Sequence, residues 1–166
     1  MQPDLLELLY RKYYKATYLY TISLCKQKEL AEDIVSQAFE KAYLSLKGEK
    51  LGFQYWLLTV CKHLWLDYLR KNKRIRLEYE QELEGTSPNL TPESEFLKKE
   101  KDELVFECLL QLPPKYREIL TLHYYADIPI KEIAILMGLS NSNAKTLIHR
   151  ARMKLKKILE EQDYEF

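Results

Sequence analysis

The sequence predicts an all-α protein of two small helical domains joined by a flexible linker, the second ending in a helix-turn-helix. Three observations predict it. Apolar residues recur at i+3/i+4 spacing over long stretches, and no alternating strand pattern extends beyond a few residues. Helix breakers are few, with 4 Gly and 6 Pro in 166 residues, and they fall between the periodic stretches. A polar, Pro-containing segment, TSPNLTPESE, separates two apolar-periodic halves. The 13 Tyr raise β propensity, but residues such as Tyr10, Tyr13, Tyr14 and Tyr18 fall at helical spacing, so period outranks propensity.

The first helix is expected from Asp4 to Gln27, with Leu5, Leu9, Tyr13, Ala16, Tyr20, Ile22 and Leu24 inward. A second spans Lys28 to Leu46, with Ala31, Ile34, Val35, Ala38, Phe39, Ala42 and Tyr43 on one face. After the loop 47–52, a third runs from Phe53 to Lys73, with Trp56, Leu57, Val60, Leu64 and Tyr68 inward. Three amphipathic helices with short connections make a bundle. Leu77 to Gly85 is acidic and reads as the partly helical start of a tether, flexible around Pro88–Pro92. It serves either as a plain solvated linker or as a segment that occupies a channel on a partner.

From about Leu97 a second unit begins, with Leu104, Val105, Cys108 and Leu112 as its stripe and Pro113-Pro114 as its stop. Tyr116 to Tyr125 is the next helix. Pro129–Met137 and Asn141–Leu159 then make a tight helix-turn-helix. Ala134 allows close approach, Gly138 permits the positive φ that reverses the chain, and Ser140 is a good N-cap. Ile133, Met137, Leu139, Ala144, Leu147 and Ile148 supply the core between the two helices. That leaves Asn141, Ser142, Asn143, Lys145, Thr146 and His149 outward at the start of the second helix, where a recognition helix meets base edges. Arg150, Arg152 and Lys154 would lie near phosphates. A helical hairpin with a solvated basic face is the plainer alternative.

The 26 Lys+Arg against 25 Asp+Glu nearly cancel. The sum conceals two runs without acids, Arg70–Arg76 and Lys145–Lys157, and local potential is what a phosphate backbone feels. Cations at the end of a helix are also favoured by its dipole alone. Two separated basic patches favour two modules on one nucleic acid. Phe53, Tyr55, Trp56, His63 and Trp65 precede the first patch, and aromatic faces beside positive charge suit stacking on unpaired bases. Trp56 and Tyr68 read rather as core.

Composition excludes several classes. No apolar run approaches the roughly 18–20 residues of a membrane helix, and MQPDLLELLY lacks the pattern of a signal peptide. A cytoplasmic chain, not itself membrane-embedded, is expected. Cys25, Cys61 and Cys108 are odd in number, form no CxxC, and read as reduced structural thiols. His63, His123 and His149 are not spaced to complete a zinc site. No Ser/His/Asp grouping, phosphate-cradling Gly loop or HExxH is present. No enzymatic activity, metal, cofactor or small-molecule substrate is expected.

The order of these elements resembles the extracytoplasmic-function (ECF) group of bacterial sigma factors. AEDIVSQAFEKAY (31–43) looks like the family's helix for core RNA polymerase. FQYWLLTVCKHLWLDYLRKNKR (53–74) looks like the helix that reads and opens the minus-ten element. Residues 109–159, with Leu-Pro-Pro-x-x-Arg-Glu at 112–118 and His-Arg-Ala-Arg at 149–152, look like the region for the minus-thirty-five element. The resemblance implies a region 2-like domain over 1–74, a linker over 75–100 and a region 4-like domain over 101–166. It implies a core-polymerase surface of Asp33, Ser36, Gln37 and Glu40, although Ser36-Gln37 departs from the usual Gln-Glu. For minus-ten DNA it implies Gly48, Lys50, Phe53, Tyr55, Lys62, His63, Arg70, Lys71 and Arg74, with a short 47–52 loop and His63 in place of a common Asn. For minus-thirty-five DNA it implies Ser140, Asn141, Ser142, Asn143, Lys145, Thr146, His149, Arg150 and Arg152. Leu147 stands where Arg is frequent, and Asn141 to Thr146 is unlike the usual Glu-Gly-Thr-Val-Lys-Ser. Promoter DNA, core RNA polymerase and an anti-sigma factor are the implied partners. The alternatives are a stand-alone helix-turn-helix regulator with a sensing or dimerising N-terminal bundle, and a module that binds only another polypeptide.

Overall fold

A computed structural model describes residues 2–45, 52–83 and 101–162. Its helices are α1 (Pro3–Cys25), α2 (Lys28–Ser45), α3 (Phe53–Lys71), α4 (Lys73–Leu83), α5 (Lys101–Leu110), α6 (Pro114–Tyr124), α7 (Ile130–Met137) and α8 (Asn141–Glu161). No strand occurs among the described residues. The segment expected to be flexible around Pro88–Pro92 lies outside them.

Helices α1, α2 and α3 pack on one another as the first bundle, and α5 to α8 form the second. Pro3 starts α1, where its missing N–H costs nothing, and Asp4 suits the positive end of the dipole. Lys26 ends α1 in the left-handed region at φ 56°. On α2, Ala31, Ala38 and Ala42 are buried, and these small side chains let α1 and α3 approach closely. This face matches the expected one, except that Tyr43 is exposed.

The core face of α3 differs from expectation. Leu57, Leu58, Cys61, Trp65 and Leu69 are buried, whereas Trp56, Val60, Leu64 and Tyr68 are only half-buried. Part of the reason is α4, which packs on α3 where only the start of a tether is expected. Tyr79 on α4 meets Trp65 edge-on with ring centroids 5.6 Å apart, and so covers a side of α3 that a three-helix bundle would leave open. The chain breaks between α3 and α4 at Asn72, whose side-chain amide donates to the Tyr68 carbonyl at 3.0 Å. The basic run Arg70–Arg76 therefore straddles two helices instead of ending one. It is also locally paired: Arg70 contacts Asp67, Arg74 lies 3.8 Å from Glu78, and Arg76 lies 3.9 Å from Glu80. Such exposed pairs are each worth only a few tenths of a kcal/mol.

The stripe of α5 is shifted too. Leu104 is exposed and Val105 half-buried, while Phe106, Cys108, Leu109 and Leu110 are buried against α6 and α8.

The last two turns of α1, Leu19–Cys25, and the middle of α6 are buried on every side, because these two helices pack against each other and join the two bundles. The apolar run Leu19–Cys25 has no solvent face for that reason.

All three cysteines are buried and unpaired by disulfides. Burial pushes the Cys25 thiol up to about 11 and Cys61 up to about 12, and Cys108 moves in the same direction. Thiolates, not thiols, react. A disulfide reagent at mildly alkaline pH is therefore expected to label the native chain slowly, and to find all three thiols after unfolding. Fast labelling of the native chain would contradict this burial.

Candidate nucleic-acid interface

The helix-turn-helix forms from local signals. Gly138 takes φ 68°, a region that costs a side-chain-bearing residue about 1 kcal/mol or more. The Leu139 N–H then reaches back to the Ala134 carbonyl at 2.8 Å, closing α7. Ser140 Oγ accepts the Asn143 N–H at 3.0 Å and starts α8. Ile133, Ala134, Ala144 and Ile148 are buried between the helices, with Met137, Leu139 and Leu147 partly buried against them. The buried face of α8 fixes its opposite face outward. Ser140, Asn141, Ser142, Asn143, Lys145, Thr146, His149, Arg150 and Arg152 are all exposed. Thr146 turns its hydroxyl back to the Ser142 carbonyl at 3.1 Å.

Two supports for this face were not visible in the sequence. Arg152 Nε donates to the Tyr124 hydroxyl, and its guanidinium lies over the Tyr124 ring at 5.3 Å. Its Nη2 lies 3.3 Å from His123 Nε2. Since a guanidinium only donates, this contact requires an unprotonated Nε2. Burial, and then Arg152, push the His123 pKa down, which favours that neutral form. Lys154 lies over the Tyr116 ring at 5.1 Å. The His-Tyr-Tyr run at 123–125 carries the signal, but only the packing of α6 on α8 reveals it.

The first module holds the residues expected at unpaired DNA. Gly48 and Lys50 lie outside the described residues. Phe53, expected at the DNA surface, is instead core: it is 3% exposed, packed on Tyr13 and Trp56 with centroids 5.5 and 6.2 Å away. Its position just after Gly52 drives the ring into the core as the first anchor of α3. Trp65, weighed as a stacking aromatic, is likewise buried at 2%. Tyr55 is half-buried, and His63, Arg70, Lys71 and Arg74 are exposed. Tyr55, Lys62 and Leu66 follow one another along a single face of α3. Asp33, Ser36, Gln37 and Glu40 are exposed on α2, opposite its alanine face. Gln37 Nε2 donates to Asp33 Oδ2 at 3.0 Å.

Lys62 is not open to solvent in the same way. Its Nζ lies 2.9 Å from Glu118 Oε2, which also accepts the Tyr20 hydroxyl at 2.7 Å, and it lies 3.5 Å from the Leu136 carbonyl. Burial and this carboxylate hold the Tyr20 hydroxyl well above its ordinary pKa. Beside Glu118, Arg117 is 1% exposed. Its Nε donates to the Ser23 carbonyl at 2.6 Å, and its fork donates to Glu82 at 2.5 and 3.3 Å. It also reaches the Leu24 and Leu112 carbonyls at 3.4 and 3.0 Å. α1 has no basic residue in its last turn, so α6 supplies the cation for its unsatisfied carbonyls. Lys26 lies 3.7 Å from Glu82; burial and Arg117 push its pKa down, and Glu82 pulls it back.

Among the described residues no group of His, Cys, Asp and Glu could hold a metal ion, and no helix is long and apolar enough to cross a membrane.

Residues 9–75 match the family model for Sigma-70 region 2, and residues 102–155 match that for Sigma-70, region 4. The chain is similar to the ECF RNA polymerase sigma factor SigM of Bacillus subtilis, 31% identical over 149 residues, covering 89% of this chain and 91% of SigM. It is similar to the RNA polymerase sigma factor YlaC of the same organism, 29% identical over 159 residues, with 93% and 91% covered. Its fold is similar to the sigma factor RpoE of Bartonella quintana, solved in complex with the anti-sigma factor NepR, with TM-score 0.69, 20% identity, and 93% and 96% covered. Both Sigma-70 regions on one chain define an alternative sigma factor of RNA polymerase, and favour that class over a stand-alone regulator or a pure protein-interaction module. The chain belongs to the ECF sigma-factor family.

Proposed function

We propose that the chain directs promoter recognition, minus-ten melting and initiation by dividing the work between its two modules. The exposed start of α8 reads the minus-thirty-five duplex, and Arg150 and Arg152 hold phosphates. Tyr55, Lys62, His63, Arg70, Lys71 and Arg74 face the parted minus-ten strand, with Gly48 and Lys50 nearby in sequence. The row Asp33, Ser36, Gln37 and Glu40 docks on core RNA polymerase. Held on that enzyme, the modules act as linked binders, so the second contact becomes intramolecular. The chain contributes binding and no chemistry of its own, and it works in the cytoplasm. An anti-sigma factor masks its polymerase-facing surfaces, as NepR is a partner of the similar RpoE.

The observation that carries this reading is the exposed polar face of α8, set by a Gly138 turn and a Ser140 cap, on a chain that also carries region 2. The test is run-off transcription with this chain as the sole initiating subunit. A defined start supports the reading; tight binding to an inverted repeat without any transcript overturns it. Lys145→Ala or Arg150→Ala is expected to weaken minus-thirty-five binding by roughly 1–3 kcal/mol where the contact is bidentate to a base. An unchanged footprint removes that residue from the interface. Asp33→Lys is expected to reduce capture of core polymerase with helix content intact, and equal capture by both forms would refute the docking role.

A further inference from the structure

We propose that Tyr124, braced by His123, is a positioning residue that aims the Arg152 guanidinium at one phosphate of the minus-thirty-five duplex, so that α6 shares in the DNA interface of α8. This contact rests on the minus-thirty-five reading of α8 and adds a residue that reading leaves out.

Arg152 is exposed and nonetheless held in place. Its Nε donates to the Tyr124 hydroxyl, its Nη2 lies 3.3 Å from His123 Nε2, and its Cζ lies 5.3 Å from the Tyr124 ring centroid. Tyr124 is braced in turn, since the His123 ring stands edge-on to it with centroids 4.7 Å apart. Both rings belong to the last turn of α6, which packs on α8.

A guanidinium presents its N–H donors in a fixed fork. Nε and Nη2 make up one edge of that fork, and here α6 takes that edge. Nη1 and the outer N–H of Nη2 form the other pair, and two parallel donors of this kind grip a phosphate through two oxygens. A cation beside the last turn of α6 is favoured by the helix dipole alone. The dipole is indifferent to how the guanidinium is turned, whereas the bond to Tyr124 fixes its plane. A long side chain already ordered loses less freedom when DNA arrives.

Arg152 also stands where a groove edge would pass. Lys145, His149 and Arg152 fall at i, i+4 and i+7 along the exposed face of α8. From Lys145 to Arg152 the helix rises about 10 Å, close to the roughly 12 Å width of a major groove. With Lys145 at base edges, Arg152 meets the flanking phosphates. Tyr124 is itself 48% exposed, so the pair is reachable.

The test uses the full chain and three variants that keep its charge: Tyr124→Phe, Arg152→Lys, and the two together. The first keeps the ring and removes the acceptor. The second keeps a cation and removes the fork. The probe is a fluorescein-labelled duplex enriched from a random-sequence pool on the parent chain, with affinity read by anisotropy. A single neutral methylphosphonate is then placed at each backbone position in turn, and circular dichroism checks helix content. Each single variant is expected to bind roughly fivefold more weakly, as the cost of ordering one long side chain implies. The double variant is expected to bind no more weakly than Arg152→Lys. Neutralising one particular phosphate should weaken the parent chain roughly tenfold, as loss of a charge-assisted hydrogen bond implies. That dependence should fall to about twofold in each single variant. A tyrosine that only packs would leave it in place. Parental affinity in Tyr124→Phe, multiplying losses in the double variant, or a phosphate dependence that survives Tyr124→Phe would each overturn the aimed contact. If the phosphate dependence and its coupling to Tyr124 appear but no transcript starts from a promoter carrying the selected duplex, the minus-thirty-five reading falls and the aimed contact stands as duplex binding of another kind.

Discussion

Replacing Arg117 by Met is expected to lower the stability of the chain by about 3 kcal/mol, the lower end of what removing one partner from a buried ion pair costs. Met fills a similar volume, so lost packing is a minor part. The loss comes from groups left behind: the Ser23, Leu24 and Leu112 carbonyls lose a donor, and among the described residues Glu82 is left with Lys26 at 3.7 Å. Because Glu82 is half-buried, water relieves part of its desolvation, which places the effect at the low end. Urea unfolding measures it. The double substitution Arg117→Met with Glu82→Gln should recover part of the loss, since no carboxylate is then stranded. Purely additive losses would show that the pair is not coupled.

Substituting Ala144 by Leu is expected to abolish minus-thirty-five binding at concentrations where the parent chain binds. Ala144 is fully buried on the first turns of α8, facing Ile133 and Ala134 of α7. Added methylenes in a filled core cost roughly 1–3 kcal/mol and move the backbone. Here the backbone that moves carries Asn141, Asn143 and Lys145. Capture of core polymerase through α2 should persist, because that surface lies on the other module. Anisotropy with a minus-thirty-five duplex and a polymerase pull-down separate the two effects. Unchanged duplex affinity would remove α8 from the role of reader.

Helix positions were legible because their signals are local. Pro113-Pro114, Gly138 and Ser140 act through their own dihedrals and hydroxyls, and the observed boundaries follow them closely. The outward face of α8 was legible for the same reason, since one strongly polar face admits one orientation. Facing was misread where a helix is apolar on several sides. Trp56, Leu57, Leu58, Val60, Cys61, Leu64 and Trp65 leave α3 more than one core face, and the packing of α1, α2 and α4 around it decides which is covered. Phe53 was misplaced by the same ambiguity. In the sequence, Arg117 and Glu118 stand as part of a Leu-Pro-Pro-x-x-Arg-Glu run with no local physical task. Their partners lie far off in sequence, with Tyr20 98 residues from Glu118 and Ser23 94 residues from Arg117, and no window along the chain brings them together. A buried arginine looks like a surface arginine until its acceptors are known.

The hydroxyls inside the paired helices have a consequence for recognition. Thr17, Thr21, Ser23 and Thr121 each return their proton to a carbonyl of their own helix. With those protons used inside their own helices, the seam between α1 and α6 relies largely on its buried apolar side chains. Hydrocarbon contact is non-directional, so this seam supplies cohesion without dictating alignment. Directional contact across the pairing comes instead from one adjacent dipeptide, Arg117 and Glu118, whose hydrogen bonds to Ser23 and Tyr20 have a preferred geometry that hydrocarbon lacks.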